Sequence, residues 1–198
     1  MKKIFCYIFI SAILLGLSGC SGSIKNMQVS SVDTSTVPPK EGKAKVVFMR
    51  PSSFGFAIQS SVFTIKNNIP SVIGIVAAKK KLGQDFEPGE YIFMVIGESA
   101  DFMYADLKAN KTYYTLITPR MGLWKARFSL KPLTTAELNS EDFQEWVAET
   151  QTVESNSSTQ YWANQNRESI EEKYLEYYED WMEEDEDERP KLIDYISN

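Results

Sequence analysis

Between residues 43 and 133 the chain is divided into short apolar, β-branched runs by turn residues, and this spacing limits the fold more than any other feature. Ala44 to Arg50 is the first strand candidate and is closed by Pro51-Ser52-Ser53. Ser61 to Lys66 and Ser71 to Ala77 follow, separated by Asn67-Asn68, a pair that tolerates the positive φ of a tight hairpin turn. Pro70, just before the second of these runs, suits a strand start or a sheet edge. Lys79-Lys80-Lys81 interrupts the series, and Leu82 to Glu87 then leads into Pro88-Gly89, the Pro-then-Gly order of a type II turn. Glu90 to Gly97, Phe102 to Leu107, Thr112 to Thr118 and Lys125 to Lys131 complete the set, Thr112 to Ile117 being rich in strongly β-forming residues. Short strands at such spacing, with no long helical pattern between them, predict a mainly β fold: a small antiparallel sandwich spanning 43–133.

The first twenty residues belong to a different kind of segment. Lys2 and Lys3 precede an apolar run from Ile4 to Leu15, too short for a membrane-crossing helix of ~20 residues. Leu17-Ser18-Gly19-Cys20 follows at once. This order resembles the lipobox of bacterial lipoproteins. The resemblance implies cleavage between Gly19 and Cys20, a diacylglyceryl thioether on Cys20, and usually a third acyl chain on the freed amine. Two or three chains give lasting attachment where one gives only marginal binding. Position 21 is Ser rather than the Asp that holds such proteins at the inner membrane. By the same resemblance, the expected location is the cell envelope, on the outer membrane facing the periplasm. Residues 20–42, rich in Ser, Thr, Val, Gly and Pro, read as a flexible tether with a reach of ~25 Å.

Residue content narrows the chemistry. The chain has no histidine, and its two cysteines are Cys6, inside the leader, and Cys20. That removes Ser-His-Asp and Cys-His catalysis, thiolate nucleophiles, disulfides and the commonest zinc ligands. Neither a cofactor nor a nucleic-acid partner is expected, and the chain reads as non-enzymatic. Carboxylate or lysine chemistry is the remaining alternative, but Glu98-Ser99-Ala100-Asp101 reads as a turn rather than a catalytic pair.

After Pro132 the pattern becomes helical. Thr134 and Glu137 have capping-box spacing, and Phe143, Trp146 and Val147 form an apolar stripe. Residues 150–160 read as a polar linker before a long helix from about Tyr161 to Glu188, frayed where the acidic run 183–188 opposes the helix dipole. Charge is divided to match: residues 21–133 carry 15 basic and 8 acidic side chains, whereas 134–198 carry 4 and 19. The expected organisation is therefore a leader (1–19), a tether (20–42), a β domain (43–133) and an acidic helical tail (134–198).

Two groups are candidate partner surfaces. Tyr174, Tyr178 and Trp181 share a helix face that either meets an envelope protein or packs on the chain's own sheets. Lys79, Lys80 and Lys81 either meet anionic headgroups or guard a strand edge. The acidic run 183–188 lacks the spacing of a calcium loop, and no metal site is assigned. Met121-Gly122-Leu123-Trp124 either exposes an apolar loop to the membrane or, the favoured reading, forms a hairpin connection.

A family resemblance covers 43–133. It is carried, in order, by a strand ending in Arg50-Pro51-Ser52, by Pro88-Gly89-Glu90-Tyr91 between two apolar strands, by Lys111-Thr112-Tyr113-Tyr114, and by Met121-Gly122 ahead of a last strand. Behind a lipobox, this order is similar to the bacterial lipoprotein family called domain of unknown function 2846. The resemblance implies a periplasm-facing antiparallel β-sandwich with no assigned activity. Lys66-Asn67-Asn68 departs from the Asp-Gly turn common in that family, and Lys79-Lys80-Lys81 departs from its small or aromatic residues.

Overall fold

Ala44–Arg50 is buried at every position. A strand covered on both faces must be apolar throughout, which is why Val46-Val47-Phe48-Met49 reads as an unbroken run rather than an alternation. The computed structural model describes residues 24–121 and 126–193. Their strands are β1 (Gln28–Val29), β2 (Ala44–Arg50), β3 (Ser60–Lys66), β4 (Ile69–Val76), β5 (Lys80–Phe86), β6 (Gly89–Ile96), β7 (Ala100–Leu107), β8 (Thr112–Met121), β9 (Ala126–Pro132), β10 (Gln151–Glu154) and β11 (Lys191–Leu192). Four helices, α1 (Thr135–Leu138), α2 (Glu141–Glu149), α3 (Ser157–Gln165) and α4 (Arg167–Glu183), lie in the C-terminal third. The fold is mainly β, with 41% strand against 24% helix. The leader and Cys20 lie outside the described residues.

Two sheets enclose one core. The first has the order β1-β10-β5-β2-β8-β9, the second β11-β7-β6-β3-β4. Val46, Phe48, Leu82 and Ile117 from the first meet Val62, Phe93, Val95 and Met103 from the second. Phe48 and Phe93 touch edge to face at 5.3 Å. All eight expected strand segments are present. The Asn67-Asn68 turn forms as expected, with φ of 52° and 61°, the mirror-image turn that matches strand twist. Pro70 lies on β4, an edge strand, where its missing N–H leaves no ladder position empty.

Several expectations are corrected. The sheets are mixed rather than antiparallel: β2 pairs parallel with β8, β10 with β5, and β11 with β7. Chain leaving β2 crosses to β3 and β4 in the second sheet, returns to the first as the antiparallel β5, crosses again through β6 and β7, and re-enters as β8, parallel to β2. Pro88-Gly89, expected as a type II turn, links strands of different sheets. It carries the chain from β5 in one sheet to β6 in the other, and Gly89 takes φ of +138° at that corner.

The expected linker at 150–160 contains β10 and the start of α3. Its polar composition hid a strand whose Thr152 and Val153 are buried between β5 and β1. The long helix is broken at Asn166, whose Nδ2 donates to the Trp162 carbonyl oxygen at 2.8 Å and competes with helix propagation. It ends at Glu183, so the acidic run from Glu184 onward lies beyond the helix.

Nor are residues 24–42 a free tether. Met27 enters the core, Ser35 is buried, and β1 pairs with β10. Lys45 Nζ donates to the carbonyl oxygens of Val37 and Pro38 at 2.7 and 3.1 Å, and Tyr114 Oη donates to that of Ser35 at 2.7 Å. The division at residue 133 marks where strands give way to helices, but the tail supplies strands to both sheets.

Candidate functional site

The capping box at Thr134 and Glu137 forms as expected, and Ser140 caps α2. The helix pair thereby lays Phe143, Trp146 and Val147 over Val47, Met49, Leu116 and Leu133, covering the outer face of the first sheet. Tyr114 and Phe143 meet edge to face at 5.0 Å.

On the outer face of the second sheet, α4 packs Ile170, Tyr174 and Trp181 against Phe63, Met94 and Phe102. Tyr174 and Trp181 are each 4% exposed. Phe102 lies 5.3 Å from the Tyr178 ring and 5.6 Å from that of Trp181. The Arg189 guanidinium stacks over Trp181 at 5.4 Å. The aromatic stripe therefore faces the protein's own sheet rather than solvent. A partner reaches it only if the helix leaves, which makes it a packing face.

The lysine triplet is likewise taken up by the fold. Lys79 occupies the turn before β5 with φ of 57° and forms an ion pair with Glu149. Lys80 is 7% exposed, and its Nζ donates to Gln151 Oε1 at 2.6 Å; burial lowers its pKa. Lys81 is 1% exposed and reaches Asp33 Oδ2 at 2.9 Å and the Val147 carbonyl oxygen at 2.8 Å. Three adjacent lysines thus hold three separate segments, each through its own partner. Partners 48 and 66 residues away left no local signal in the sequence.

Asp33 is the centre of the N-terminal attachment. Its carboxylate also accepts from Ser35 Oγ at 2.6 Å and Thr152 Oγ1 at 3.0 Å. Burial pushes the Asp33 carboxyl up, but hydrogen bonds from Ser35 and Lys81 outweigh it and hold the group below its ordinary 3.8. A carboxylate with a lowered folded pKa stabilises the fold fully above its unfolded value, and that contribution is lost as pH falls through the folded pKa. Acidification below about pH 4 is therefore expected to loosen residues 24–37. Amide hydrogen exchange at β1 should rise there in the native chain, and Asp33→Asn should show the raised exchange already at pH 7.

A cavity of about 270 Å³ lies between the C-terminal half of α4, β7 and β9, lined in part by Asp101, Arg120, Ser129, Asp180, Trp181 and Glu184. Asp101 pairs with Arg120 at 3.4 Å. Burial, then the charges of Asp101 and Glu188, push the Glu184 carboxyl up. The carboxylates and arginines offset one another, and neither a histidine nor a thiol is present to act as nucleophile or neutral-pH base. Asp101 lies at the start of β7 and Glu98 in the turn before it.

Sequence reasoning used Arg50 only as a strand end and gave it no site role. It is fully buried and stacks 4.4 Å over the Phe128 ring. Nη1 donates to the Ile58 carbonyl oxygen at 2.7 Å; Nη2 donates to those of Gly55 and Phe54 at 2.8 and 3.2 Å. Burial alone lowers its pKa to about 10, so the guanidinium stays charged at neutral pH. The available signal was a strand-ending arginine followed by fifteen residues without a charge.

No family model matches the chain, and a search of curated proteins returns no match. Among the described residues no helix is long and apolar enough to cross a membrane, and no group of acidic residues is placed to hold a metal ion.

Proposed function

We propose that the chain is a non-enzymatic, lipid-anchored envelope protein whose folded part is held close against the bilayer. The observation that carries this reading is the distance in sequence between Leu17-Ser18-Gly19-Cys20 and Met27, a core residue. Acylation of Cys20 leaves only residues 21–23 before Ile24, which already packs on the core. Four residue steps span at most about 14 Å. A protein so attached acts by location rather than by extended reach. Ser21 favours the outer membrane and a periplasm-facing domain.

The packing of α4 and the pairing of β10 and β11 support the reading in which the tail belongs to the folded body. The surface then left for an envelope partner is the outward face of α4, where Glu171, Glu172, Glu176, Glu179 and Asp180 are exposed. Membership in the family of unknown function 2846 is part of the same proposal; mixed sheets and a tail woven into both of them would be this chain's own additions. A carboxylate- or lysine-based activity is the weaker alternative.

In cells, the wild-type protein should remain with membranes through high salt and alkaline carbonate, whereas Cys20→Ser should move to the soluble fraction. A Cys20→Ser protein that still sediments with carbonate-washed membranes would refute the anchor.

A further inference from the structure

The β2–β3 connection, Pro51-Ser52-Ser53-Phe54-Gly55-Phe56-Ala57-Ile58-Gln59, carries no charge. Large apolar side chains in a loop ordinarily turn inward, because water disfavours them. Here Ile58 does so and packs against the core. Phe54 and Phe56 do not: they are 56% and 78% exposed, and Phe56 is the most exposed large apolar side chain among the described residues.

Their exposure is imposed by a built support. The Arg50 guanidinium binds three loop carbonyls, the Ile58 N–H donates to the Gly55 carbonyl oxygen at 3.0 Å, and Gly55 takes φ of +67°. Phe54 N–H donates to Ser52 Oγ at 3.1 Å. Burying a guanidinium with no carboxylate to offset it is unfavourable. The fold accepts that cost in order to hold a loop that keeps two phenyl rings in water.

We infer that Phe54 and Phe56 enter the interfacial layer of the bilayer to which the chain is anchored; this rests on the lipid-anchor reading above. A bilayer is favoured over a protein partner by where the chain leaves the fold. Ile75 N–H contacts Met27 Sδ at 3.3 Å, and Ile75 is the register partner of Ser61. Ser60, directly after the loop, pairs with Val76. Met27 is thereby held against β4 one residue from the end next to the loop, and at most about 14 Å of chain separates Ile24 from the acylated Cys20. An uncharged loop with exposed phenyl rings is the chemistry that partitions into a headgroup boundary.

The test uses lipidated full-length protein in phosphatidylcholine vesicles, with Phe56→Cys carrying an environment-sensitive nitrobenzoxadiazole fluorophore. Ile69→Cys, in an exposed position at the far end of β3 and β4, is the control. Expected is blue-shifted emission at position 56, quenched by lipid brominated on its acyl chains, with unshifted and unquenched emission at position 69. If the protein floats with the vesicles but position 56 remains water-like, the loop inference fails while the anchor stands, and a protein contact becomes the reading for these rings. If the protein does not float at all, the anchor fails and the loop inference with it.

Discussion

A chain ending at Glu149 is expected not to fold. Removing 150–198 takes Ile170, Tyr174 and Trp181 off the second sheet and leaves Phe63, Met94 and Phe102 open to water. Burying each of those three side chains contributes about 1.5–3 kcal/mol. Their sum is comparable with the whole net stability of an ordinary domain, about 5–15 kcal/mol. Loss of β10 and β11 further leaves β5 and β7 as unpaired edges, which template aggregation. The truncated protein should be insoluble or lack a cooperative thermal transition by circular dichroism. A soluble fragment melting within a few degrees of the full chain would mean that the tail is an appendage, contrary to the packing described above.

Arg50→Met is expected to be the most damaging conservative substitution in the β region. Methionine fills similar space but gives no donor, so the carbonyls of Phe54 and Ile58 lose the guanidinium and that of Gly55 keeps only the Ile58 N–H. An unsatisfied buried acceptor costs about 1–3 kcal/mol, partly offset here by relief from burying the charge. A net loss of about 3 kcal/mol follows, a fall in Tm of roughly 6–12 °C for a chain of this size. Chymotrypsin should also cleave at Phe54 or Phe56 before the rest of the domain opens. Arg50→Lys should recover only part of the loss, because an ammonium cannot reproduce the planar fork. Unchanged Tm and protease resistance in Arg50→Met would show that the guanidinium does not hold the loop.

The strands were legible because local signals agreed with tertiary demand. Val46-Val47-Phe48-Met49 is apolar because both its faces are covered, and Asn67-Asn68 turns because asparagine accepts positive φ at little strain. What escaped the sequence depends on distant pairing. Gln151-Thr152-Val153-Glu154 is a strand only because β5 and β1 flank it, and a polar segment bears no mark of that. Likewise Lys81 resembles its exposed neighbours until Asp33 is brought to it. The residues 24–42 looked like a linker because their attachment runs mostly through backbone carbonyls and the single carboxylate of Asp33, none of which requires a hydrophobic period. Of the candidate sites, Cys20 was proposed from four consecutive residues and lies outside the described residues. Tyr174 and Trp181 were correctly placed on one helix face, but their burial was decided by Phe102 on a strand more than 70 residues away.

The central claim is that acyl chains on Cys20 hold the domain against a membrane, and intact-mass spectrometry of the protein extracted from cells tests it most directly. The account predicts a polypeptide beginning at Cys20, heavier than its sequence by a diacylglyceryl group and usually one further fatty acyl chain, with the added mass confined to the N-terminal peptide. A protein that retains residues 1–19, or one that begins at an unmodified Cys20, would contradict it.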